Sequence, residues 1–113
     1  MSRILVVDGD PMLRECLIAG LQHHGHRTYD ASSSRDAVPL VEYADAVICD
    51  GLNGFFCGVS DECEKNHIPF LLYSGDADLV DDAKEMGISA LLKPAPIKQI
   101  LSTLGQAVGA VTR

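Results

Sequence analysis

No apolar run in these 113 residues approaches the roughly 20 that a helix needs to cross a bilayer. That excludes a helical membrane span. The four cysteines, Cys16, Cys49, Cys57 and Cys63, form no C-x-x-C pair, which excludes the common zinc and dithiol-redox patterns. Basic residues are few: nine Lys and Arg stand against sixteen Asp and Glu, for a net charge of −7. Direct nucleic-acid binding needs a basic footprint, and this balance does not supply one. The sequence contains no internal repeat, linker or low-complexity tract. Its N-terminus enters an apolar run at once, so no signal peptide is expected. The expected location is therefore the cytoplasm, with reduced thiols.

What is present suits one globular domain over residues 1–113. Apolar residues make up 47% and charged residues 22%, ordinary for a globular chain. A chain of this size buries roughly 65% of its unfolded surface, enough for a core without staples. Cys16 and Cys49 fall at apolar positions and are expected in that core. Cys57 and Cys63 are expected nearer the surface.

The central stretch is Ala46-Val47-Ile48-Cys49-Asp50. A short Val- and Ile-rich run bounded by turn residues reads as a buried strand. It ends on an acid, where open α/β sheets place their ligand sites. Ile4-Leu5-Val6-Val7 likewise runs into Asp8-Gly9-Asp10. Phe70-Leu71-Leu72-Tyr73 runs into Ser74-Gly75, and Ala90-Leu91-Leu92 into Lys93-Pro94. Two acids, a hydroxyl and an amine thus end strands that would share one sheet edge.

Taken in order, strands are expected at 3–8, 26–30, 45–50, 69–74 and 89–92. A helix fits between each pair and a fifth after Pro96. The first runs from Pro11 to about His24, with Asp10 as its N-cap and Leu13, Cys16, Leu17, Gly20 and Leu21 on one face. The second starts at Ser32-Ser33-Ser34 and is shortened or distorted by Pro39. The third is expected at 59–66, after a glycine-rich loop over 51–58. The fourth follows Asp76 and buries Leu79, Val80, Ala83 and Met86. The fifth presents Ile97, Ile100, Leu101, Leu104, Ala107, Val108 and Val111. Strands joined by helical crossovers build a parallel sheet covered on both faces.

With these residues in place, the chain resembles the receiver domain of two-component response regulators over its whole length. The resemblance implies a (βα)5 flavodoxin-like fold with strand order 2-1-3-4-5. It implies that Asp50 accepts a phosphoryl group from a histidine kinase or phosphotransfer protein. Ser74 would hydrogen-bond that group, and Lys93, joined to Pro94 by a cis bond, would pair with it. Mg²⁺ would be held by Asp8, Asp50 and the backbone carbonyl of Leu52. The output would pass through protein contacts rather than catalysis of a separate reaction.

Three positions depart from the family pattern. The second acid of the metal-binding pair is Gly9, so weak Mg²⁺ binding is expected. Asp10 is either the helix N-cap alone or a replacement ligand leaning into the gap. The switch aromatic is Ala90, which removes the usual coupling to the output face. The proline four residues after the phosphoacceptor is Gly54. Gly9 and Ala90 also fit an alternative function, a pseudo-receiver that binds a partner without phosphorylation. A remote alternative is a haloacid-dehalogenase-like phosphatase built on Asp8-Gly9-Asp10, but no acid follows Lys93 to complete that site. His23-His24-Gly25-His26 reads as a solvated helix end. Phe55 and Phe56 read as loop packing.

Overall fold

The computed structural model describes residues 2–112, with side-chain surroundings through residue 105. Strands β1 (Arg3–Val7), β2 (Arg27–Ala31), β3 (Ala46–Cys49), β4 (Phe70–Ser74) and β5 (Ala90–Leu92) alternate with five helices. These are α1 (Pro11–His23), α2 (Ser34–Ala37), α3 (Phe56–Lys65), α4 (Ala77–Glu85) and α5 (Ile97–Thr112). All pairings are parallel and the sheet order is β2-β1-β3-β4-β5. The expected architecture and strand order are therefore present.

Alternation along the strands divides the core into two layers. Leu5 and Val7 of β1 face the layer under α2, α3 and α4, with Val47, Leu72, Val59 and Val80. Ile4 and Val6 face the layer under α1 and α5, with Ile48, Leu71, Leu21 and Ile100. Truncating a fully buried Leu such as Leu72 costs about 3–4 kcal/mol, the lost burial plus the cavity. Of the expected apolar face of α5, Ala107, Val108 and Val111 lie outside the described side chains.

Four details differ from the sequence reading. Leu13 and Cys16 are exposed rather than core residues. They belong to the opening turns of α1, which starts past the end of β1 and has little sheet to cover there. Cys63, expected near the surface, is buried under α3 instead. Met86 caps the C-terminus of α4 and is exposed. Helix α3 begins at Phe56, three residues early, because Phe56 is buried against Phe70 with ring centroids 6.4 Å apart. The two phenylalanines separate: Phe56 is 4% exposed and Phe55 70%. Pro39 acts as expected. The α-helical turn stops at Ala37 and continues as a 3-10 helix over Val38–Tyr43.

The cysteine burial has a measurable consequence. Burial pushes the Cys63 thiol up to about 12, with Glu62 adding to it. Burial pushes Cys49 further up, helped by the charge of Asp50. The thiolate is the reactive form. A thiol reagent at neutral pH is therefore expected to label Cys16 and Cys57 in the native protein and spare Cys49 and Cys63. Peptide mass spectrometry checks this, and rapid native labelling of Cys63 would contradict the packing of α3.

Candidate functional site

Asp8, Asp50, Ser74 and Lys93 each lie at or just past the C-terminal end of a strand, and the parallel sheet brings those ends together. The Lys93 ammonium donates to Asp8 Oδ2 at 2.8 Å and to Asp50 Oδ1 at 3.1 Å. The two acids and the amine form one connected group across residues far apart in sequence. The Lys93–Pro94 peptide bond is cis, as the resemblance implied.

Each member is held by the backbone around it. Asp8 is buried, and its Oδ1 accepts from Asp10 N at 2.9 Å. Arg14, which the sequence reading passed over, donates to the Asp8 carbonyl at 2.7 Å and pairs with Asp30 at 3.1 Å. Asp10 Oδ1 accepts from Met12 N and Leu13 N, so the structure uses its N-cap role. Asp50 Oδ2 accepts from Leu52 N at 3.3 Å. Leu52 and Asn53, in the loop that follows the acid, take positive φ angles of 52° and 54°. For an L-residue such as Leu52 that conformation costs about 1–2 kcal/mol. Ser74 is buried, and its hydroxyl oxygen accepts from Asp76 N at 3.1 Å. A Cβ placed on Gly51 would lie 3.6 Å from that hydroxyl, so Ser74 faces the residue that follows Asp50.

Electrostatics tie the group together. Burial pushes the Lys93 amine down, but its hydrogen bonds to Asp8 and Asp50 and their charges outweigh it, and the net direction is up. Lys93 stays protonated at neutral pH. One ammonium against two carboxylates leaves one negative charge uncompensated. The group opens onto a cavity of about 600 Å³ lined by Gly9, Ser33, Arg35, Asn53 and Phe55 among others. Its oxygen-only donors and surplus charge fit a hard cation such as Mg²⁺, which takes oxygen ligands and retains waters. Among the described residues, no group of three His, Cys, Asp or Glu side chains is placed to hold a metal. The Leu52 carbonyl already accepts from Phe55 N at 3.0 Å. The donor set is therefore sparse. The histidines form no such group either: His24 Nδ1 lies 3.0 Å from the Gly20 carbonyl at the end of α1.

The chain aligns in structure with a response regulator receiver domain protein from Clostridium thermocellum. The TM-score is 0.83 at 20% identity, over 99% of this chain and 98% of that one. The chemotaxis protein CheY4 of Vibrio cholerae gives 0.76 at 23% identity, over 95% and 98% of the two chains. NtrX from Brucella abortus gives 0.82 at 19% identity, where this chain spans 27% of that one. Protein PilH of Pseudomonas aeruginosa is 31% identical over 115 residues, covering 92% of this chain and 95% of PilH. The chain belongs to the response regulator receiver family. No family model matches it.

Receivers are signalling modules of two-component systems. As a class they imply a histidine kinase or phosphotransfer protein as partner, and they typically bind Mg²⁺. Membership leaves the haloacid-dehalogenase-like reading without support. No helix among the described residues is long and apolar enough to cross a membrane.

Proposed function

We propose that this receiver takes a phosphoryl group on Asp50 from a histidine kinase or phosphotransfer protein and signals through protein contacts, without being an enzyme for a separate substrate. The observation that carries this reading is the Lys93 ammonium within 3.1 Å of both Asp8 and Asp50 at the mouth of an open cavity. An ionised carboxylate is a competent nucleophile. Asp50 attacks the donor phosphorus, the bond to the donor's leaving group breaks, and that group departs with its electron pair. The transition state is loose and spreads negative charge over the phosphoryl oxygens. The Lys93 ammonium, with the Ser74 hydroxyl at the next strand end, would be the donors to meet that charge. Asp8, Asp50 and the Leu52 carbonyl are the groups to hold Mg²⁺, with Asp10 as a further candidate beyond its capping role. Mg²⁺ when bound neutralises charge on the phosphoryl oxygens.

Gly9 supports a second reading, an interaction module that is not phosphorylated. Incubation with acetyl phosphate and Mg²⁺, followed by intact-mass measurement, separates the two. A gain of one phosphoryl group is expected on the wild type and not on Asp50→Asn. No gain on the wild type at saturating donor would favour the second reading. A cytoplasmic location is part of the proposal, because the donor proteins act there.

A further inference from the structure

We propose that Tyr73 is a positioning residue for this site, holding the Lys93 ammonium between Asp8 and Asp50. Strand β4 alternates its side chains, so Ser74 and Tyr73 point to opposite faces. Tyr73 packs in the layer under α1 and α5, beside Leu91, Ala95 and Ile97. Two contacts carry it beyond packing. Its hydroxyl oxygen accepts from Ala95 N at 2.9 Å, tying β4 to the turn that follows Lys93-Pro94. Its ring centroid lies 5.5 Å from Lys93 Nζ, within the range of a cation–π contact. One residue therefore grips the Lys93–Ala95 segment at both its backbone and its charge.

The segment needs such a grip. Strand β5 is three residues long and at the sheet edge. Past its end, Lys93 N donates to the Ser74 carbonyl at 2.8 Å. A lysine stem is flexible and its ammonium carries no directional fork. Tyr73 also lines a second cavity, of about 200 Å³, with Asp8, Cys16 and Lys93. Loss of the ring enlarges that cavity, which Lys93 already borders, and lets the amine leave the carboxylates. The bland alternative is that Tyr73 serves the core alone, in which case its loss moves stability and nothing else.

The effect on phosphoryl chemistry rests on Asp50 being the phosphoacceptor; the placement of the ammonium does not. The test compares the full chain with Tyr73→Leu, Tyr73→Phe and Leu101→Ala, the last a control in the same layer. Two quantities are read beside the melting temperature. One is acetylation of the Lys93 amine by an activated ester, relative to exposed Lys84, by peptide mass spectrometry. The other is affinity for beryllofluoride, a phosphoryl mimic, with Mg²⁺. Tyr73→Leu is expected to raise Lys93 acetylation roughly 5- to 50-fold and weaken beryllofluoride by a similar factor, the range that one cation–π contact and one hydrogen bond carry together. Tyr73→Phe keeps the ring and is expected to fall between. Leu101→Ala is expected to lower the melting temperature with both readouts unchanged. Wild-type acetylation in Tyr73→Leu, or an equal rise in Leu101→Ala, overturns the proposal. If the wild type binds no beryllofluoride, the phosphoacceptor reading fails, and the acetylation arm still decides the role of Tyr73.

Discussion

Lys93→Ala is expected to slow phosphoryl uptake on Asp50 by about two orders of magnitude, the usual cost of one pre-organised donor on a developing charge. The expectation follows from geometry. The ammonium already sits 3.1 Å from the nucleophilic carboxylate, so it needs no reorganisation to meet the incoming phosphoryl oxygens. The measurement is a time course of the phosphorylated mass with acetyl phosphate at saturating Mg²⁺. An unchanged rate would remove Lys93 from the chemistry. Lys93→Arg keeps the charge but replaces a compact ammonium with a planar fork, and is expected to recover only part of the rate.

The same substitution tests stability. Removing the amine leaves buried Asp8 beside Asp50 with no cation between them. The cost is expected to be about 1–3 kcal/mol, below that of a fully buried pair because the cavity admits water. The pH dependence has a defined sign. The folded pKa of Lys93 lies above its unfolded value, so its ion pairs stabilise the fold fully at neutral pH and below the ordinary lysine range. That contribution is lost as pH rises through the folded value. The gap in melting temperature between wild type and Lys93→Ala is therefore expected to close in strongly alkaline buffer. A gap that widens there contradicts the assignment.

The strands were legible because each is an apolar run stopped by turn chemistry, and such runs have few other ways to bury both faces. The placement of Asp50, Ser74 and Lys93 followed from those strand ends, and the resemblance supplied their order in the sheet. What stayed hidden was what depends on neighbours. The spacing of Leu13, Cys16 and Leu17 looks continuous, yet the sheet ends beneath α1 and only Leu17 is covered. Glycines at 51 and 54 read as a loop, while Phe56 is drawn inward by Phe70 and starts a helix early. Tyr73 gave one signal, a hydroxyl-bearing side chain in an otherwise apolar stretch beside the strand-end Ser74. Periodicity alone could not show that its hydroxyl meets Ala95, 22 residues away. Arg14 gave only an N-terminal helix position, with nothing local to join it to the Asp8 carbonyl.

Gly9→Asp is expected to tighten Mg²⁺ binding by about ten-fold or more, since a direct ligand matters at least as much as the outer-shell groups whose loss costs 10- to 100-fold. The wild-type group sets two carboxylates against one ammonium, so a divalent cation meets only one surplus negative charge. A third carboxylate doubles that surplus and adds a hard oxygen donor. The position accepts a side chain. A Cβ at Gly9 would meet the Ser32 carbonyl at 3.6 Å, an ordinary contact, and its backbone is not in the left-handed region. The cavity it faces has room for a carboxylate and the waters that Mg²⁺ retains. Calorimetric titration with MgCl₂ measures the change, and equal affinity in the two proteins would show that Gly9 does not limit the site. Gly9→Asn supplies an oxygen without the charge and is expected to fall between. Stability gives an independent reading. Without Mg²⁺, a new acid crowded against Asp8 and Asp10 is expected to lower the melting temperature, since like charges packed together repel. With Mg²⁺ the order is expected to reverse, because a ligand that binds only the folded state stabilises it in proportion to the logarithm of its occupancy ratio. A melting temperature that falls on adding Mg²⁺, or fails to respond in Gly9→Asp, would mean that the carboxylate at this position points away from Asp50.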